Sequence, residues 1–178
     1  MLITSLKPNI TRERATGMCQ SPLRELRYGS LKLMLDFYLP YHLFRVETES
    51  GRKTSELWLA IDAVTGRLDP YRFDDLPVDS QLMQIETARF APAQLSEQEA
   101  INQLEEKMMR MSFMRGFFKL SRWRMNGRMV ESFHLPYWMG VYERQGRARL
   151  EVIDALRGRF EGTKLREMIA EWFQTPGA

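Results

Sequence analysis

Residues 37–47 read FYLPYHLFRVE and residues 133–143 read FHLPYWMGVYE, two aromatic and apolar runs that predict strands. A polar turn follows each, SGRKTSE in the first and QGRA in the second. A further strand then ends in IDAVTGRL at 61–68 or IDALRGRF at 153–160. Phe, Leu, Pro, Tyr and Glu of the opening runs coincide at an offset of 96, and the closing motifs at 92. The difference of four is assigned to a longer tip in the first hairpin, because a solvated tip tolerates insertion. Matches in the same order on both sides of one gap predict the same strand–turn–strand unit twice.

The closing motif has a local physical reading. An Asp carboxylate accepts bonds from backbone N–H groups two or three residues on, and Gly supplies the positive φ that other residues resist. Asp62 with Gly66, and Asp154 with Gly158, are therefore read as structural turns. In the second copy Leu150, Val152 and Asp154 alternate with Arg149, Glu151 and Ile153, which predicts one largely wet face. In the first copy both faces of 57–62 are apolar, so each should be covered. Pro40 and Pro136 cannot donate to a ladder and are expected at a strand start, a bulge or an edge.

The clearest helix is LSEQEAINQLEEKMMRMSFM at 95–114, with Ser96 as N-cap and Glu99 as its capping-box partner. A shorter helix is expected at 164–173, with Leu165, Met168, Ile169, Trp172 and Phe173 in its stripe. Pro8, Gly17 and weak periodicity argue against a helix in residues 1–18. The expected organisation is a β-rich first repeat at 1–75, its helix missing or supplied by the C-terminus. A connector at 76–94 follows, with one strand in QLMQIETARF. The second repeat occupies 95–160 and a C-terminal helix 161–178. The fold class is α+β: two repeated antiparallel hairpin units with helices packed on the sheet.

Composition changes this picture little. The 178 residues are 44% hydrophobic and 28% charged, which describes a globular chain. The net charge of +3 permits binding to nucleic acid or acidic lipid without implying it. Cys19 is the one cysteine, which fits a reducing compartment. The segment MLITSLKPNITRERATG lacks an apolar core and a cleavage site of the secretory kind, and no run approaches the roughly 20 apolar residues of a membrane span. The expected location is cytoplasmic.

LSEQEA opening a helix, followed about 55 residues later by a strand pair ending in D-A-x-x-G, resembles the PepSY domain, and AIDAVTGRL at 60–68 is similar to its closing motif. The resemblance covers 95–160, and 28–68 through the hairpin. It implies a cystatin/PepSY-like fold, with a helix packed against an antiparallel sheet. It also implies an inhibitory or regulatory role, of the kind found in members often outside the cytoplasm and associated with peptidases. It carries over no catalytic residue.

Four constellations could carry chemistry. His42 and His134, alone or with Cys19, could be base and nucleophile, but no spacing supports this and both read as sheet residues. Asp62 and Asp154 could pair around a metal, yet the turns already account for them and no metal is expected. Tyr41, His42, Tyr137 and Trp138 could line a ligand or partner cleft between the copies, although strand aromatics more often pack a core. Lys107, Arg110, Arg115, Lys119, Arg122, Arg124 and Arg128 form a basic strip with Phe113, Phe117, Phe118 and Trp123 interleaved, a pattern suited to single-stranded nucleic acid.

The expectation is a non-enzymatic interaction or regulatory module with a protein partner and no cofactor. A nucleic-acid-binding protein using 107–128 is the first alternative. A small-ligand binder or enzyme with an aromatic cleft is the second.

Overall fold

Two hairpins organise the computed structural model, which describes residues 1–50, 53–69, 73, 77–114 and 123–174. The first joins β2 (Ser30–Ser50) to β3 (Lys53–Asp62), and the second joins β5 (Trp123–Arg144) to β6 (Arg147–Asp154). Tyr41 faces Asp62 in the first ladder, and Tyr137 faces Asp154 in the second. Residues matched in sequence thus hold matched rungs. From there the first ladder runs out to Ser50↔Lys53, and the second stops at Arg144↔Arg147. The four additional residues therefore lengthen both strands of the first hairpin instead of enlarging its tip, which corrects the sequence expectation. At the second tip Gln145 and Gly146 have φ of 51° and 74°, as a two-residue loop compatible with strand twist requires.

The fold is α+β, with seven strands and four helices among the described residues. The remaining elements are β1 (Leu2–Leu6), α1 (Arg12–Cys19), α2 (Pro22–Tyr28), β4 (Leu82–Glu86), α3 (Glu97–Met114), β7 (Arg159–Phe160) and α4 (Thr163–Gln174). The strands are hydrogen-bonded in the order β3-β2-β5-β1-β4, with β6 on β5 and β7 on β6. The ladders β1–β4, β2–β3, β5–β6 and β6–β7 are antiparallel, and a parallel bridge joins Tyr38 to Phe90. The sheet is therefore mixed. No helix among the described residues is long and apolar enough to cross a membrane.

The chain divides into two compact units, neither continuous in sequence. One comprises Met1–Tyr38, Leu82–Ala91 and Leu135–Ala178, and the other Leu39–Gln81 and Pro92–His134. In the first, α1 contributes Ala15 and Cys19 to a core completed by Ile10, Tyr28, Met34, Tyr142 and Ile153. Trp172 and Phe173 of α4 pack their rings against Phe37, with centroids 5.2 and 5.7 Å away. In the second, Ala100, Leu104 and Met108 of α3 cover Phe44, Val46 and Ile61 of the first hairpin. Full burial of a side chain such as Phe44 contributes roughly 1.5–3 kcal/mol.

Several sequence expectations are corrected. Residues 1–75 do not lack a helix, since α1 and α2 both form there. Tertiary burial of Ala15 and Cys19 holds α1 despite Gly17 and the weak periodicity. The connector does carry a strand, β4, but its partner β1 was not expected. Pro40 and Pro136 lie inside long strands but stand one residue before the first rungs of the hairpin ladders, Tyr41↔Asp62 and Tyr137↔Asp154, where their carbonyls accept from the amides of Ala63 and Ala155. The face of β6 expected to be wet is so at Arg149 but not beyond it, because Glu151 is only 3% exposed and Ile153 is fully buried. On β3, Ala60 and Ile61 are buried as expected, while Leu57 is left 42% exposed near the tip.

Candidate functional site

Each hairpin ends in a turn held by its aspartate. Asp62 accepts from the amides of Val64 (2.7 Å) and Thr65 (3.3 Å) and from the Thr65 hydroxyl. Asp154 accepts from the amides of Leu156 and Arg157, both at 2.8 Å, and pairs with the Arg157 guanidinium. The amides of Gly66 and Gly158 close the turns on Asp62 O and Asp154 O, and both glycines have positive φ, 69° and 66°. A Cβ at Gly66 would meet Gln103, and one at Gly158 would meet Ile10. Among the described residues no group of three or more His, Cys, Asp or Glu is placed to hold a metal.

Beside each turn a ring nitrogen anchors the chain just before a helix. Trp138 Nε1 donates to the carbonyl of Ile10 at 2.7 Å, one residue before Thr11, the N-cap of α1. His42 Nε2 lies 3.1 Å from the carbonyl of Leu95, one residue before Ser96. A carbonyl only accepts, so Nε2 carries the proton and Nδ1 is the acceptor of the Ser132 hydroxyl, 2.8 Å away. Ser96 forms the expected capping box, its amide and hydroxyl both donating to Glu99 Oε2 at 2.8 and 2.7 Å. Those bonds, the hydroxyl's first, hold the Glu99 carboxyl below its usual pKa.

Of the four residues proposed for an aromatic cleft, Tyr41 and His42 are buried in one unit, and Tyr137 is buried and Trp138 half-buried in the other. Trp138 also borders a cleft of about 290 Å³ with Arg12, Met34, Leu35, Asp36 and Arg89, in which Arg89 pairs with Asp36.

The basic strip is described in part. Lys107 is half-buried on α3, and Arg110 is exposed and paired with Glu106. Arg115, Lys119 and Arg122 lie outside the described residues, as does the side chain of Arg124. Arg128 is exposed and lines a cleft of about 210 Å³ with Arg45, Glu47, Asn126 and Val130. Both clefts are small, and each is lined by an acidic residue as well as by arginines.

Sequence reasoning missed a buried ionic cluster. Glu151 of β6 lies 3.0 Å from Arg24 of α2 and 3.5 Å from Arg149, and also pairs with Arg166 of α4. Arg24 stacks on Phe160, 3.3 Å from the ring centroid, and Arg149 lies 4.2 Å from that of Tyr28. An acidic residue in an alternating strand reads as solvent-facing, and only its distant arginines show otherwise. Compared with known protein families, with curated proteins and with solved structures, the chain matches none of them.

Proposed function

We propose that the chain is a non-enzymatic interaction module, built from two copies of a PepSY-like helix-and-hairpin unit and acting in the cytoplasm on a protein partner. One observation carries this reading. The ring nitrogens of His42 and Trp138 and the carboxylates of Asp62 and Asp154 are committed, position for position, to backbone groups that hold a helix start and a turn. Chemistry repeated in that manner serves the scaffold and leaves recognition to the outer surface. On α2, Leu23 and Leu26 are 81% and 74% exposed and three residues apart, hence on one side of the helix. They are the partner contact in this reading. Proteins cross-linked to the wild type in its host should be lost from a Leu23→Asp, Leu26→Asp double variant that melts normally. Identical cross-linked sets would remove the proposal.

A second reading, nucleic-acid binding by the 107–128 strip, rests on the exposed Arg128, since Arg45 beside it is already paired with Glu56 at 2.6 Å. If single-stranded nucleic acid binds there, its affinity should fall steeply with salt, and Arg128→Ala should reduce the slope by about one. A fluorescence-anisotropy titration with no binding at low salt would exclude it.

A further inference from the structure

Residues 9–19, NITRERATGMC, lead into and form α1, and residues 94–104, QLSEQEAINQL, lead into and open α3. The two segments coincide in their contacts. The Thr11 hydroxyl accepts from the Arg14 amide at 3.3 Å, and the Ser96 hydroxyl from the Glu99 amide at 3.4 Å. Ala15 and Ala100 are fully buried, as are Cys19 and Leu104 four residues on. Ahead of the helices, the amides of Asn9 and Ile10 both donate to Ala155 O, and those of Gln94 and Leu95 both donate to Ala63 O, all at 2.8–2.9 Å. A ring N–H meets the next carbonyl in each case, Trp138 on Ile10 and His42 on Leu95.

The order along the chain is the informative part. α1 precedes the first hairpin, yet its leading residues are tied to the turn of the second. α3 precedes the second hairpin, yet its leading residues are tied to the turn of the first. Resting on the duplication proposed above, we infer that the two copies exchange helices, so that the face of each hairpin that receives a helix is a surface for a second copy of the unit. The chain is in this sense a homodimer fused into one polypeptide. One further contact agrees. A Cβ built on Gly140 would lie 2.9 Å from Cys19 Sγ, so α1 approaches β5 of the second hairpin closely at a glycine.

Hydrogen exchange on the full-length chain tests this, with two substitutions that each remove one ring N–H. Trp138→Phe should speed exchange in α1 while leaving α3 unchanged, and His42→Phe should speed exchange in α3 while leaving α1 unchanged. The expected acceleration is roughly fivefold for one lost hydrogen bond. Crosswise loosening supports the exchange. If Trp138→Phe loosens α3 and His42→Phe loosens α1, each helix belongs to its own hairpin: the exchange is overturned and the duplication stands. Loosening by one substitution alone, or by neither, breaks the equivalence of the copies and overturns duplication and exchange together. None of these outcomes depends on the partner, which the α2 variant tests separately.

Discussion

Glu151 and Arg24 meet at 3.0 Å with the carboxylate 3% exposed, across 127 residues of sequence. With Arg166 and Arg149 also on that carboxylate, one negative charge holds α2 and α4 to β6. Removing it leaves Arg24 and Arg166, 24% and 19% exposed, without that counter-charge. Glu151→Ala should therefore cost about 3 kcal/mol, in the range for breaking a buried ion pair. Arg149→Ala, whose side chain is 48% exposed, should cost under 1 kcal/mol. Urea unfolding of the two variants gives both numbers, and equal costs would contradict the cluster's role.

The turn aspartates make a second case. Asp62→Ala and Asp154→Ala each remove at least two bonds from backbone amides, so a loss of about 1–2 kcal/mol is expected for each. Because those oxygens cap turns, added magnesium, calcium or zinc should not change the melting temperature of the wild type. A cation-dependent rise that vanishes in Asp154→Ala would show a metal site instead.

Burial raises the pKa of the Cys19 thiol and of the Tyr142 phenol, and the neighbouring thiol raises the phenol further. The phenol also donates to Cys19 O at 2.7 Å. Folded values above the unfolded ones favour the neutral forms. Their contribution to stability is complete below about pH 8.5 for the thiol and about pH 10 for the phenol, and is lost as pH rises through the folded values. Urea midpoints should thus fall between pH 8 and pH 11. Cys19→Ala should shallow the early part of that fall, and a curve parallel to the wild type would show that the thiol plays no part.

Gly140 offers a direct check on where α1 lies. With its added Cβ 2.9 Å from Cys19 Sγ, Gly140→Cys should oxidise to a disulfide joining residues 19 and 140. The loop so closed is long, and the oxidised form should be more stable than the reduced by about 2–4 kcal/mol. A titre of two free thiols after mild oxidation would place α1 elsewhere.

The hairpins and the long helices were legible because their signals are local. Alternation marks β6, the Ser96 and Glu99 pair marks the start of α3, and the Asp-to-Gly spacing marks both turns. What escaped depends on distant partners. α1 is short, polar and interrupted by Gly17, and it stands because Ala15 and Cys19 are buried against residues more than a hundred positions on, Tyr142 and Ile153 among them. β1 has five residues and is defined by its pairing with β4, from Leu2↔Glu86 to Leu6↔Leu82. The acidity of Glu151 pointed outward until Arg24 and Arg166 were seen to neutralise it. The hairpin turn to which each helix start is tied was hidden for the same reason, since spacing along a chain does not specify it.

The bond from Trp138 to Ile10 also has a consequence for synthesis. A chain made from its N-terminus exposes α1 well before the residues that receive it exist, because the two ends of that bond are 128 positions apart. At ordinary rates of translation the wait is on the order of ten seconds, far longer than a helix takes to form or melt. The first hairpin waits in turn for α3. Neither unit can therefore complete itself as a contiguous stretch emerges, and the unpaired apolar stripe of each early element stays open to other molecules until the second half arrives. Slowing translation of the second half should lengthen that exposure, so codon choice downstream of residue 94 becomes a determinant of yield.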